Sequence, residues 1–147
     1  MRHTSIACLR IAVGILAASV AGIASAQTPI PEREAAVRAV FARHAAEQTR
    51  MLTCVAAIEP QHLEGAKSGW VEILGSAREI LERGGFAKES TDKLLAEAQP
   101  DKLMSMPLDR EKTRASCVAD KAWEDHLYKF MSYRLVGDVR EIVQGRR

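Results

Sequence analysis

From Glu32 to Glu59 the chain carries neither proline nor glycine, and its large apolar positions Val37, Val40, Phe41, Met51, Leu52, Val55 and Ile58 recur at steps of three and four. That period predicts one long helix, with His44 and Gln48 interrupting the apolar stripe. Glu32 and Glu34 fall in its first turn, where the helix dipole favours acids, and Pro60 ends it. A second helix is predicted from about His62 to Arg83, because Leu63, Ala66, Trp70, Ile73, Leu74, Ala77, Ile80 and Leu81 hold a single face. Gly84-Gly85 is its stop signal, since glycine accepts the left-handed conformation that closes helices.

After Phe86, residues Ser90 to Ala98 read as a short helix with Ser90 or Thr91 as N-cap and Leu94, Leu95 and Ala98 inward. Pro100 and Pro107 bracket a linker with one helical turn, Asp101 to Met106. Asp109 is the expected N-cap of a last long helix, about Arg110 to Val136, carrying Cys117, Val118, Ala122, Trp123, Leu127, Phe130 and Met131. Gly137 is expected to break it, and Asp138 to cap a final turn with Val139, Ile142 and Val143. No stretch alternates with period two long enough to make a strand, and no hairpin turn separates two apolar runs. The expectation is an all-α fold, a small irregular helical bundle of three long and one or two short helices.

The first 26 residues are read as an export signal, apart from that fold. Arg2, His3 and Arg10 form a basic head, Ile11 to Ala24 an apolar run, and Ala24-Ser25-Ala26 a cleavage site before Gln27. The apolar run is shorter than the roughly 20 residues a membrane span needs, so cleavage without a stable anchor is expected. A single helical domain of residues 27–147 would then remain, in the periplasm or secreted. Arg2 and Arg10 leave with the signal and no acid does, so the 21 basic side chains fall to 19 against 19 acidic ones. That balance excludes a strongly basic domain built to grip nucleic acid.

Cys8 lies within the signal, which leaves Cys54 and Cys117 as the only pair available for a disulfide in an oxidising compartment. A bridge closing a loop of roughly 60 residues removes about 4 kcal/mol of chain entropy from the unfolded state. Cys54 near the end of the first helix and Cys117 near the start of the last suit two antiparallel neighbours.

No motif names a reaction. The chain lacks a G-x-S-x-G elbow, an H-E-x-x-H zinc helix, a glycine-rich phosphate loop and a C-x-x-C-H haem site. Beyond the signal, His44, His62 and His126 are not spaced three or four apart, which gives no basis for a metal site, and no cofactor is expected. Asp120 and Glu124, four apart beside Asp125-His126, are read as a solvated face, and Met51 as core rather than a haem ligand to His126. Gly65 and Gly69, with Ala66 and Ser68, form a small-residue patch read as tight packing inside the domain.

Trp123, Tyr128, Phe130 and Tyr133 place four of the seven aromatics within eleven residues, too closely spaced to share one helical face. Tyr128 is furthest from the Trp123 and Phe130 side. Trp123, Tyr128, Tyr133 and Arg134 are therefore the candidate residues for contact with a protein partner.

The export signal, a helical remainder of about 120 residues, the run Cys54-Val55-Ala56-Ala57 and a second cysteine some sixty residues later resemble the periplasmic immunity proteins that neutralise cell-wall amidase effectors of type VI secretion. The chain departs from them in lacking a matching aromatic run after Trp70, which leaves the effector-binding surface unidentified. The resemblance implies a non-enzymatic inhibitor that plugs an amidase active site, often as a homodimer. A periplasmic envelope or acid-stress chaperone is the alternative from another class, and a haem- or metal-binding bundle ranks below both.

Overall fold

The structure, a computed structural model, describes residues 30–104, 108–120 and 134–146. Among these residues there are six α-helices, one 3-10 turn and no strand: α1 (Ile30–Ile58), the turn Pro60–His62, α2 (Leu63–Arg83), α3 (Lys88–Glu97), α4 (Pro100–Leu103), α5 (Arg110–Ala119) and α6 (Arg134–Val143). The fold is an all-α helical bundle. The expected export signal lies outside the described residues.

The apolar stripe of α1 builds the centre of the bundle. Its first half buries Val37, Val40 and Phe41 in a core shared with Trp70, Ile73, Leu74, Ala77 and Leu81 of α2, Leu95 of α3, and Leu135, Val136, Val139 and Ile142 of α6. Its second half buries Met51, Leu52 and Val55 in a smaller cluster completed by Leu63, Ala66 and Met104. Met51 is thus a core residue, as its place on the stripe implies. Trp70 is buried with its indole N–H satisfied, donating to the Ala98 carbonyl at 2.7 Å.

α6 crosses both long helices and corrects the reading of the chain's end. Gly137 does not break the helix but lies inside it, and Asp138 is mid-helix and not a cap. Glycine in a helix interior costs about 1 kcal/mol relative to alanine, and that penalty is outweighed by burying four apolar side chains of α6 against α1 and α2. Arg33 of α1 donates from Nη1 to the Val143 carbonyl at 3.2 Å, so the last turn of α6 gains a partner for an otherwise orphan acceptor. Its guanidinium also lies 5.7 Å from the centre of the Phe86 ring.

Two further boundaries differ from expectation. α3 begins at Lys88, with Ala87 at the N-cap and no side-chain cap, while Thr91 is buried inside the helix. The extra turn places Lys88 four residues before Asp92, where both Lys88 and Arg78 of α2 bind the Asp92 carboxylate. These ion pairs, with the burial of Thr91, Leu95 and Ala98, outweigh the loss of a Ser or Thr cap. Asp109 does cap α5, accepting from the Lys112 backbone N–H at 3.1 Å. That helix closes at Ala119, and Asp120 has extended backbone (φ −84°, ψ 97°), so one unbroken helix from Arg110 to Val136 is not formed.

The two glycines after α2 have different tasks. Gly85 is left-handed (φ +79°), as a helix-closing glycine should be. Gly84 is right-handed, and what it supplies is space: a Cβ there would meet Val143 Cγ1 at 2.6 Å. Among the described residues Gly65 and Gly69 have no neighbour within 4 Å of such a Cβ, so the small-residue patch of α2 makes no close contact with another described helix.

Candidate functional site

α5 is attached to the bundle through one side of one turn. Cys117 is its only buried residue, and it forms a disulfide with Cys54 across a Cα separation of 5.8 Å. Three residues further along, Asp120 binds the Arg50 guanidinium, one turn before Cys54 on α1. The pairs 54 with 117 and 50 with 120 run in opposite directions, so α1 and α5 are antiparallel there, as the cysteine spacing implies. Beside the disulfide lies a cleft of about 320 Å³ lined by Arg50, Thr53, Lys112, Thr113 and Ser116.

The other residues of α5 are exposed, apart from a half-buried Thr113. Val118 is 66% exposed, the largest exposure of any large apolar side chain among the described residues. Of the four candidate partner-binding residues, Trp123, Tyr128 and Tyr133 lie outside the described residues. Arg134 begins α6 and is exposed, while the next two residues, Leu135 and Val136, are buried. In sequence, Val118 and Arg134 flank the segment that carries the aromatic cluster. The sequence placed Val118 on the last long helix without assigning it a side.

A second polar constellation lies on α1 and was read only as an interruption of its stripe. His44 is 6% exposed, and its Nε2 lies 2.9 Å from Oδ2 of Asp138 on α6. The carboxylate can only accept, so that ring nitrogen is the donor. Asp138 also accepts from the Arg43 guanidinium, and Glu47 approaches the other ring nitrogen of His44 at 3.5 Å. One turn further, Gln48 is fully buried, and neither its Oε1 nor its Nε2 has a partner among the described residues. The arrangement orients α6 on α1 through a fixed imidazole.

His62 is exposed in the 3-10 turn, and Glu124, Asp125 and His126 lie outside the described residues. Asp120 is the C-cap of α5, bound to Arg50. Among the described residues no group of three or more His, Cys, Asp or Glu side chains is placed to hold a metal ion, and no helix is long and apolar enough to cross a membrane. Comparison with family models, with curated proteins and with solved structures finds no match to this chain.

Proposed function

We propose that this chain is an exported, non-enzymatic protein-binding module of the periplasm, and most concretely an inhibitor or immunity protein for a secreted cell-wall hydrolase. The observation that supports this reading is the presentation of α5. A ten-residue helix secured to α1 by the Cys54–Cys117 disulfide and the Asp120–Arg50 pair exposes the apolar Val118 beside charged residues, at the entry in sequence to the aromatic segment 123–133. An apolar anchor within a charged surround is the composition of a protein-interface hot spot. The disulfide supplies the rigidity that lowers the entropic cost of docking such a helix.

The test is titration of the oxidised protein into a panel of cell-wall amidases acting on peptidoglycan. The expected result is one-to-one inhibition of one member, weakened about tenfold or more by Val118→Asp and by Tyr128→Ala. Absence of inhibition across the panel, or inhibition indifferent to both substitutions, would overturn the reading. Reversible binding of an apolar-surface dye at low pH, together with protection of unfolded clients, would instead assign the chain to the stress-chaperone class.

A further inference from the structure

The disulfide ties a weakly held element to the well-packed part of the bundle. Neither apolar cluster of described core residues includes Cys54 or Cys117. The larger is built from α1, α2, α3 and α6 with Phe86 and Ala98, and the smaller is gathered about Met51, Leu52 and Val55. Among the described elements α5 packs on α1, and it buries only Cys117. The apolar contacts that hold α1, α2, α3 and α6 together therefore do not pass through the two sulfurs.

α5 has little else to keep it in place. Its other tie to α1 is the Asp120–Arg50 pair, in which the arginine side chain is 58% exposed, and ion pairs so open to water contribute little. Isolated helices shorter than about 12 residues are marginal in water, and α5 has ten. Its sequence does not compensate: Thr113 and Val118 are β-branched, and Arg110 and Arg114 are like charges one turn apart. Asp109 caps its first turn, and the bridge holds its last.

We propose that the Cys54–Cys117 bridge is a reversible redox latch: oxidised, it holds α5 as a helix on α1, and reduced, it releases α5 to unfolded backbone while the bundle of α1, α2, α3 and α6 stays formed. The reductant is a dithiol. One of its thiolates attacks Cys117 Sγ, the S–S bond breaks, a mixed disulfide forms, and Cys54 leaves as a thiolate. The second thiolate attacks the reductant's own sulfur in that mixed disulfide, and Cys117 leaves as a thiolate. Two electrons pass to the protein, the dithiol becomes a cyclic disulfide, and its two protons end on the cysteines. Cys54 and Cys117 are 3% and 5% exposed and both line the cleft beside the bridge. The attack thus needs a shift of α5 about its tether and not an opening of the core, a local motion of the kind that weakly packed elements make. Release also removes the fixed presentation of Val118, so binding through α5 belongs to the oxidised form. That consequence rests on the proposed inhibitor function, and the latch itself does not.

The test is treatment of the native, oxidised, isotope-labelled protein with dithiothreitol in the absence of denaturant, with free thiols counted by alkylation and amide hydrogen exchange followed residue by residue. Both thiols are expected to appear, with exchange in Arg110–Ala119 accelerated at least about tenfold, exchange in α2 and α6 changed by less than about threefold, and the original pattern restored on reoxidation. A bridge that resists reduction until urea unfolds the bundle, a reduced protein in which α5 keeps its protection, or a loss of protection throughout the molecule would each overturn the latch. In the amidase titration the reduced protein is expected to inhibit at least about tenfold more weakly than the oxidised one. Release of α5 with inhibition unchanged would remove α5 from the interface, and absence of inhibition in both forms would overturn the inhibitor reading, while the exchange pattern alone decides the latch.

Discussion

A buried amide without partners gives up hydrogen bonds that water supplied in the unfolded chain, at about 1–3 kcal/mol for each unsatisfied group. Among the described residues Gln48 is in that position, between the two apolar clusters of the core. Gln48→Met, which keeps length and volume, is expected to raise unfolding free energy by about 1–2 kcal/mol in urea titrations. An unchanged or lowered midpoint would show that the amide has a role the burial pattern does not reveal. The glycines make a paired prediction at the same scale. Gly84→Ala should destabilise by about 1–3 kcal/mol, because the new methyl would overlap Val143 and lie 3.2 Å from the Ile80 carbonyl. Gly137→Ala should stabilise by up to about 1 kcal/mol, since the residue is helical and no described residue lies within 4 Å of its Cβ position. These roles were not legible in the sequence: Gly84 and Gly137 both looked like helix breakers, and only the path of α6 separates them.

Elements with a continuous apolar stripe could be read in advance, and those held by charges could not. α1 and α2 span the intervals that their periodicity and flanking prolines and glycines define, within a few residues at each end. α3 begins earlier than its polar caps suggest because Asp92 pairs with Lys88 and Arg78. Hydrogen bonds from Lys88 first, then Arg78, hold the Asp92 carboxyl below its ordinary value of 3.8, and Asp92 in turn raises Arg78. A carboxylate so depressed adds its stabilisation above the unfolded-state value and loses it as pH falls through the lower folded value. The α2–α3 contact should therefore loosen below about pH 4, read as faster amide exchange in Lys88–Glu97, and Asp92→Asn should show the loosened state already at neutral pH. Acid exchange in α3 identical in the two proteins would remove Asp92 from the account.

For the molecule as a whole, the all-α class and the cysteine pairing were legible because both follow from features local in sequence or unique in count. The candidate site was legible only in part. Arg134 is exposed at the start of α6, and Val118 is exposed on α5, whose end at Ala119 no periodicity announces. The unpartnered Thr91 hydroxyl was hidden by the earlier start of α3 at Lys88, since an N-cap threonine would have had a backbone partner. Because Cys117 is the sole buried residue of α5, reduction should act there first. Replacing both cysteines by serine is expected to lower stability by up to about 4 kcal/mol. Amide exchange should rise most in Arg110–Ala119 and least in the α2 and α6 core, and uniform loosening would indicate that the bridge supports the entire bundle instead.

The disulfide also determines how the molecule carries tension. Cys54 and Cys117 are 63 residues apart in sequence, and α2, α3 and α4 lie entirely within the loop they close. A force applied at the two ends of the chain passes from α1 through the sulfurs into α5 and never stretches the enclosed segment. The load instead shears α6 away from α2, so the first rupture should be the departure of the C-terminal helix. With the bridge reduced, the fully stretched chain should lengthen by about 200 Å, the reach of the freed residues at about 3.3–3.6 Å each. Any surface built on α3 and α4 is thus mechanically insulated for as long as the two sulfurs remain joined.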